Sequence, residues 1–491
     1  MTAVNRVLPS RPVADLDAYR AAGGGRALEA ARQVDPTTLV DEVAASGLRG
    51  RGGAGFPTGT KWRTVLANRA PDLPTTVVVN AAEGEPGTYK DRAILRADPY
   101  SVLEGALVAA LAVGASDVIV ALKAREPAER ERVERAAAEM RTAGLAGGIG
   151  ISVVTGPAEY LFGEETALLE VVAGRAPLPR IAPPYRRGVT EVVEGDADVT
   201  SGSGLAAPVE MAGPGSATVA PPALVDNVET LANVPGIVTE GAAWFRSLGT
   251  EASPGTIVCT VTGDVRHPGV GEVPMGTSVR TAIDAIAGGP LARRPIKAVL
   301  NGVSAAPLPP ASLDTPLTYE DMAAVGSGLG TASLVVVGEG TDMTAVAAGV
   351  ARFLAVESCG QCTPCKADGL AIADALDRLC TGEGDEHDLV SVSRALTTVA
   401  DGARCNLARQ QQDVIGPILA GWEDEVVRRA TGPAESVTPV LVAEVTALAD
   451  GEVVLDEERR TKQPDWSHGD EWSGSYPADL LGEHRSDSRT G

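Results

Sequence analysis

The chain has 491 residues and a mass of 50.1 kDa, which at roughly 150 residues per domain allows about three domains. Hydrophobic residues make up 44% and charged residues 22%, the balance of a globular protein and not of a disordered one. Lys and Arg number 42 against 65 Asp and Glu, and the net charge of −23 argues against nucleic acid or an anionic membrane as the main partner.

In chain order, a helix is expected over much of 15–32, interrupted at Gly23-Gly24-Gly25. A second starts with Asp35 as N-cap and Pro36 in the first helical position and runs to about Ser46. A glycine-rich loop covers 47–59, a helix 60–68 and a β-branched strand 75–80. The apolar stretch 105–116 is well short of the ~20 residues a bilayer needs, so it reads as a buried helix followed by a strand at 117–122. Strand and helix alternate to about Gly174, the pattern of an α/β layer structure, and 176–222 reads as Pro- and Gly-rich extended loops.

From Thr256 the texture changes. Short strands at 257–263, 297–302 and 334–337, with a helix at 278–286, make a small α+β unit. Helices at 344–356, 369–379, 389–400 and 410–429 then suggest a bundle. The tail, 431–491, carries 13 acidic and 5 basic residues. Its last part, 462–491, lacks a core-like apolar period and is expected to be mobile or laid over a surface, so its removal should leave cofactors in place; Trp466 and Trp472 there are candidates for docking a partner. No basic-then-apolar leader opens the chain, and six cysteines do not make a disulfide scaffold, so the expected compartment is the cytoplasm.

The strongest chemical signal is Cys359-Gly-Gln-Cys362-Thr-Pro-Cys365. Three thiolates at this spacing can face one cubane, and Cys405, opening a later helix, is the best candidate for the fourth corner. Zinc fits less well, because structural zinc usually takes two separated pairs. Cys259 and Cys380 are left as buried spectators.

The glycine loop contains a literal G-x-G-x-x-G at Gly50, Gly52 and Gly55, but it follows a helix and not a strand, so the ordinary dinucleotide fingerprint fails its context. Its composition still suits a cofactor: glycines allow close backbone approach, and Arg49, Arg51 and Lys61 bring positive charge. Polar residues 80–92 follow directly from a strand end, where α/β sheets place ligands. Glu164 and Glu165, at the start of a helix, can equally be a helix-dipole feature, and Asp226-Asn227 a simple helix start.

Together the motifs GLRGRGGAGFPTGTKW, NAAEGEPGTYKDR, GEETAL, DNVETL and ESCGQCTPC, with the later Cys405, resemble the NADH-binding flavoprotein subunit of respiratory complex I (the NuoF type), shared with NAD-linked hydrogenases and formate dehydrogenases. The resemblance spans about residues 35–430. It implies a multi-domain α/β protein: a Rossmann-like FMN/NADH domain (1–250), a β-grasp domain of the SLBB type (251–340), a helical bundle with a [4Fe–4S] cluster (341–430) and an acidic extension (431–491). It implies that Gly50, Arg51, Gly52, Gly53, Lys61 and Asn80 surround FMN, with Glu83, Glu85, Tyr160, Gly163, Glu164 and Asn227 nearby. By the same likeness Phe56 stacks on adenine, Glu165 lies near the nicotinamide as the catalytic candidate, and Thr230 helps hold the flavin phosphate. Cys359, Cys362, Cys365 and Cys405 would ligate the cluster.

Three departures stand out: Ala82 replaces an aspartate expected at the flavin ring, Asp226 replaces an asparagine near a phosphate, and Thr64 replaces a second aromatic after the lysine. With the long tail, they point to a paralogue of the respiratory subunit. The implied activity is NADH:acceptor oxidoreduction, a flavin taking hydride and releasing single electrons through the cluster. The implied partner is a [2Fe–2S] thioredoxin-like or ferredoxin-type carrier, with no nucleic acid and no membrane insertion, and with any membrane association peripheral, through partner subunits. The competing reading is a non-catalytic scaffold or electron wire that has lost flavin or NADH.

Overall fold

The computed structural model describes residues 4–69, 73–189, 221–432, 435–449 and 451–481. The loop expected at 176–222 lies largely outside them.

The first unit is a parallel sheet of β1 (Thr75–Ala81), β2 (Ala115–Lys123), β3 (Gly150–Gly156) and β4 (Ala223–Asn227), in the order β3-β2-β1-β4. The strands are short and rich in Val because both faces are covered, as parallel sheets require. The main cover is the helix Pro99–Val113, which is buried at 13 positions, so the apolar stretch is a core helix as expected. It touches the helix Val228–Glu240 so closely that a Cβ on Gly105 would fall 2.0 Å from the Leu231 carbonyl oxygen. Strand order reverses between β1 and β4, and their ends pair Asn80 with Asn227. Such a switch point leaves a crevice at the strands' carboxyl ends.

The second unit is a mixed sheet, β6-β5-β8-β7, built from β5 (Thr256–Gly263), β6 (Gly269–Pro274), β7 (Ile296–Asn301) and β8 (Ser333–Gly338). The helix Val279–Ala287 packs on it through Val279, Ala282, Ile283 and Ala287. Strand β6 was not expected. Its sequence, GVGEVP, has too few β-branched residues to stand out, and antiparallel pairing to β5 is what makes it a strand.

Helices Met343–Glu357, Thr363–Thr381, Glu386–Thr398, Leu407–Gly421 and Glu423–Thr431 form the bundle. The single helix expected at 410–429 breaks at Trp422. The helix expected from Gly369 begins instead inside the cysteine motif, with Pro364 in its first turn. Among the described residues no helix is long and apolar enough to cross a membrane.

The described part of the tail takes the second of its two expected forms, laid over a surface. After a hairpin of β9 (Val445–Ala449) and β10 (Glu452–Leu455), it runs back over the bundle. Lys462 is buried and pairs with Glu357 at 2.6 Å, and Trp466 donates its indole N–H to the Val356 carbonyl at 2.9 Å. Trp466 therefore docks within the chain, and this stretch is laid on a surface that it helps to build. Residues 482–491 lie outside the described part.

Candidate functional site

A cleft of about 880 Å³ opens at the β1–β4 switch point, within the range of pockets that hold cofactors. One wall is the glycine loop, which joins the helices Pro36–Ser46 and Thr58–Ala67. Two cross-loop bonds close it, Gly50 N–H to the Phe56 carbonyl at 2.9 Å and Thr58 N–H to the Leu48 carbonyl at 3.0 Å. Gly53 has φ +117 and Gly55 φ +62, conformations that disfavour side chains. A Cβ on Gly55 would also fall 2.2 Å from the ring of Tyr319, whose hydroxyl donates to the Gly50 carbonyl at 2.9 Å. The glycines thus serve contact with the β-grasp unit as well as the cleft.

Gly50, Gly52, Gly53, Phe56, Lys61, Asn80, Glu83, Glu85, Tyr160, Gly163, Glu164, Glu165, Asn227 and Thr230 all line this one cleft. Phe56 keeps 51% of its surface exposed, which leaves a ring face free. Arg51 is the exception. Its guanidinium turns away and donates to the carbonyls of Pro254 at 3.2 Å and Thr256 at 3.0 Å, and only its backbone N–H faces the Thr230 hydroxyl, at 2.8 Å. Sequence reading counts it as a flavin contact because loop position does not reveal side-chain direction. Thr64 also lies off the lining, its hydroxyl bonded back to the Thr60 carbonyl at 2.9 Å.

The acidic residues are individually engaged. Burial would raise Glu83, but Arg92 at 2.8 Å and the Asp91 N–H outweigh it and hold the carboxyl below its ordinary value. Burial dominates at Glu85 and pushes it up to about 7, although it accepts the Tyr160 hydroxyl and the Val303 N–H, each at 2.7 Å. Glu164 caps its helix, accepting N–H bonds from Thr166 and Ala167, so the simpler reading of that residue also holds. Lys61 pairs with Glu165 at 2.5 Å and lies 3.9 Å from Asp226. Asp226, raised by burial to about 6, accepts the Trp62 indole N–H at 2.7 Å. Trp62 and Lys90 lie inside the motifs at 47–62 and 80–92, but their partners in the site are set by packing and not by the motif. Lys90 is fully buried between Asp91 at 2.7 Å and Glu229 at 3.0 Å and donates to Asn227 at 3.2 Å.

Cys359, Cys362, Cys365 and Cys405 surround a second, small cavity. Cysteines arranged around one cavity suit a cluster, whose corners are separate irons. Beneath them Lys366 is fully buried and donates to the carbonyls of Ala355, Val356 and Ser358, placing positive charge under the loop. Burial pushes the Cys365 thiol up to about 11 and Cys405 to about 12, so each stays protonated at neutral pH unless a metal replaces its proton. Cys259 and Cys380 are buried away from this cavity.

Comparison with known proteins finds the same three parts. Residues 43–236 match the Nuo51 FMN-binding domain, 258–302 the SLBB domain and 345–429 the NADH-ubiquinone oxidoreductase-F iron-sulfur binding region. An F-type NADH-quinone oxidoreductase subunit of Rhizobium meliloti (strain 1021) is 38% identical over 403 residues, 80% of this chain and 89% of the relative. The chain belongs to the NuoF-type family of NADH-quinone oxidoreductase subunits. The NuoF-type family also accounts for a second similarity, to NADP-reducing hydrogenase subunit HndC of Solidesulfovibrio fructosivorans, 36% identical over 82% of this chain and 78% of that one. The crystal structure of an air-oxidized NAD⁺-reducing [NiFe]-hydrogenase superposes with a TM-score of 0.70 at 30% identity, covering 85% of this chain and 67% of the other. As a NuoF-type protein the chain is a flavoprotein of the NADH dehydrogenase class, with FMN, NADH and an iron–sulfur cluster as its cofactor set.

Proposed function

We propose that this chain is the electron-input subunit of a multi-subunit oxidoreductase, with FMN and NADH in the large cleft and a [4Fe–4S] cluster on Cys359, Cys362, Cys365 and Cys405. The observation that carries this reading is a shared wall: Leu161, Cys405 and Leu407 line both the cleft and the cysteine cavity. The two sites are therefore contiguous, as transfer from a flavin to a cluster demands. Bound flavin would supply the change from two-electron to one-electron transfer.

The chain's residues supply position and charge. The glycine loop and Asn80 offer close backbone and amide approach to the flavin, and Thr230 at a helix start suits its phosphate. Phe56 offers its free face to adenine. Glu165, held by Lys61, would stand at the nicotinamide. Tyr160 is fixed by three bonds: its N–H donates to Glu357 at 2.7 Å, its hydroxyl donates to Glu85, and the same hydroxyl accepts from the Gln410 amide. Functional boundaries near 250, 340 and 430 follow the change from parallel sheet to mixed sheet to bundle to extension. A [2Fe–2S] thioredoxin-like or ferredoxin-type carrier is the electron-transfer partner that this cofactor order fits. The chain would then sit in the cytoplasm, joined to any membrane complex only through other subunits.

The test is the spectrum of the purified full chain. The flavin band should bleach on adding NADH, and a reduced-cluster EPR signal should follow. Cluster absorbance with no flavin would favour a scaffold instead.

A further inference from the structure

Residues 435–481 lie beyond the iron–sulfur match, which ends at 429, yet they carry charge into the molecule's interior. Glu444 is 1% exposed, and its carboxylate meets Lys123 at 3.3 Å, Arg125 at 3.5 Å and Arg459 at 2.5 Å. Lys123 is fully buried directly behind the Glu83–Glu85 turn of the cleft, where a Cβ on Gly84 would come within 2.8 Å of its Nζ. Arg459 and Lys462 both pair with Glu357, Lys462 at 2.6 Å. Glu357 stands two residues before Cys359, and its other oxygen accepts the Tyr160 N–H. One buried network thus joins the tail, the cysteine loop and the cleft wall.

A second set of contacts covers the cysteine loop itself. The Ala478 N–H donates to the Cys359 carbonyl at 2.8 Å. Tyr476 lies against Gly360, where an added Cβ would come within 2.4 Å of the tyrosine Cβ. Trp466 closes the adjoining side by its bond to Val356.

Among the described residues, the ion-pair partners of Glu357 come only from the tail, and so does the one carboxylate paired with Lys123. An interior charge left unpaired is strongly destabilising, so each member of this network depends on its partners. A strip merely resting on a surface would need none of these charges.

We propose that residues 435–449 and 451–481 are a positioning element of the cluster site. In this arrangement Lys462 and Arg459 set Glu357, Glu357 fixes both the cysteine loop and Tyr160, and the Trp466–Ala478 stretch shields the loop from solvent. The proposal rests on the iron–sulfur reading above.

The test uses the full chain with its cofactors. Lys462→Met should release iron to a chelator on the order of tenfold faster than wild type, and Lys462→Arg should restore most of the difference. Ala478→Pro removes the donor to the Cys359 carbonyl without touching a charge, and should speed release by a smaller factor. The cluster's midpoint potential, read by EPR-monitored titration, should move negative in Lys462→Met, because lost positive charge disfavours the reduced cluster. Wild-type release rates with an unmoved potential in Lys462→Met overturn the proposal. If Lys462→Met does not accumulate, Ala478→Pro decides: release at the wild-type rate overturns the proposal. Wild-type protein without cluster absorbance would instead overturn the iron–sulfur reading itself.

Discussion

Replacing Glu85 by Gln should stabilise the protein at neutral pH and leave it unchanged in acid. Glu85 is 9% exposed, and burial lifts its carboxyl from 4.5 to about 7. Between these values the unfolded chain has given up a proton that the folded chain still holds, so native stability falls as pH rises. At 1.36 kcal/mol per pKa unit the loss reaches about 3 kcal/mol above pH 7 and vanishes below about pH 4.5. Glutamine mimics the protonated acid: its carbonyl can accept the Val303 N–H, and its amide can face the Tyr160 oxygen. At roughly 2–4 °C per kcal/mol for a domain of this size, Glu85→Gln should raise the unfolding midpoint by about 6–12 °C at pH 8 and by nothing at pH 4.5. The assay is thermal unfolding from pH 4.5 to 8 on samples matched for flavin and iron. A difference that does not change with pH would refute the burial argument, because only a titrating group can produce the slope.

Cys405→Ala should lose most bound iron while Cys380→Ala keeps it, measured as iron per chain, since of these two Cys405 alone borders the cysteine cavity. Arg51→Met should lower stability to denaturant by about 2–3 kcal/mol through the lost bonds to Pro254 and Thr256, while flavin affinity, read by fluorescence quenching, changes much less. Asp226→Asn should strengthen FMN binding by the flavin-free protein at pH above about 6, where Asp226 becomes charged, and should not alter it below; equal affinities at pH 8 would remove Asp226 from the phosphate's surroundings.

Much of the site was legible in the sequence because its signals are local. The cysteine spacing, the density of glycine in 47–59 and the strand end at Asn80 are each set by a few consecutive residues. Local patterns also marked the helix Pro36–Ser46, which is capped by Asp35 and started by Pro36. Strand β6 was not legible, because it is held by its partner β5 and not by its own propensity. Arg51 was placed at the flavin by its position in the motif, yet only packing decides where a side chain points.

The sequence by itself determined the three-part organisation, the family likeness and the four candidate cysteines, since periodicity and spacing survive without tertiary context. Only the tertiary structure decided that Cys405 borders both cavities, that Arg51 braces the β-grasp unit and that Glu357 joins the tail to Tyr160. These relations link residues far apart along the chain, and the tail shows why they escape pattern reading. Its acidic, aperiodic stretch looks like a solvated surface, but the meaning of a charge depends on its surroundings. Lys462 is a surface lysine by composition and a buried counter-ion by position.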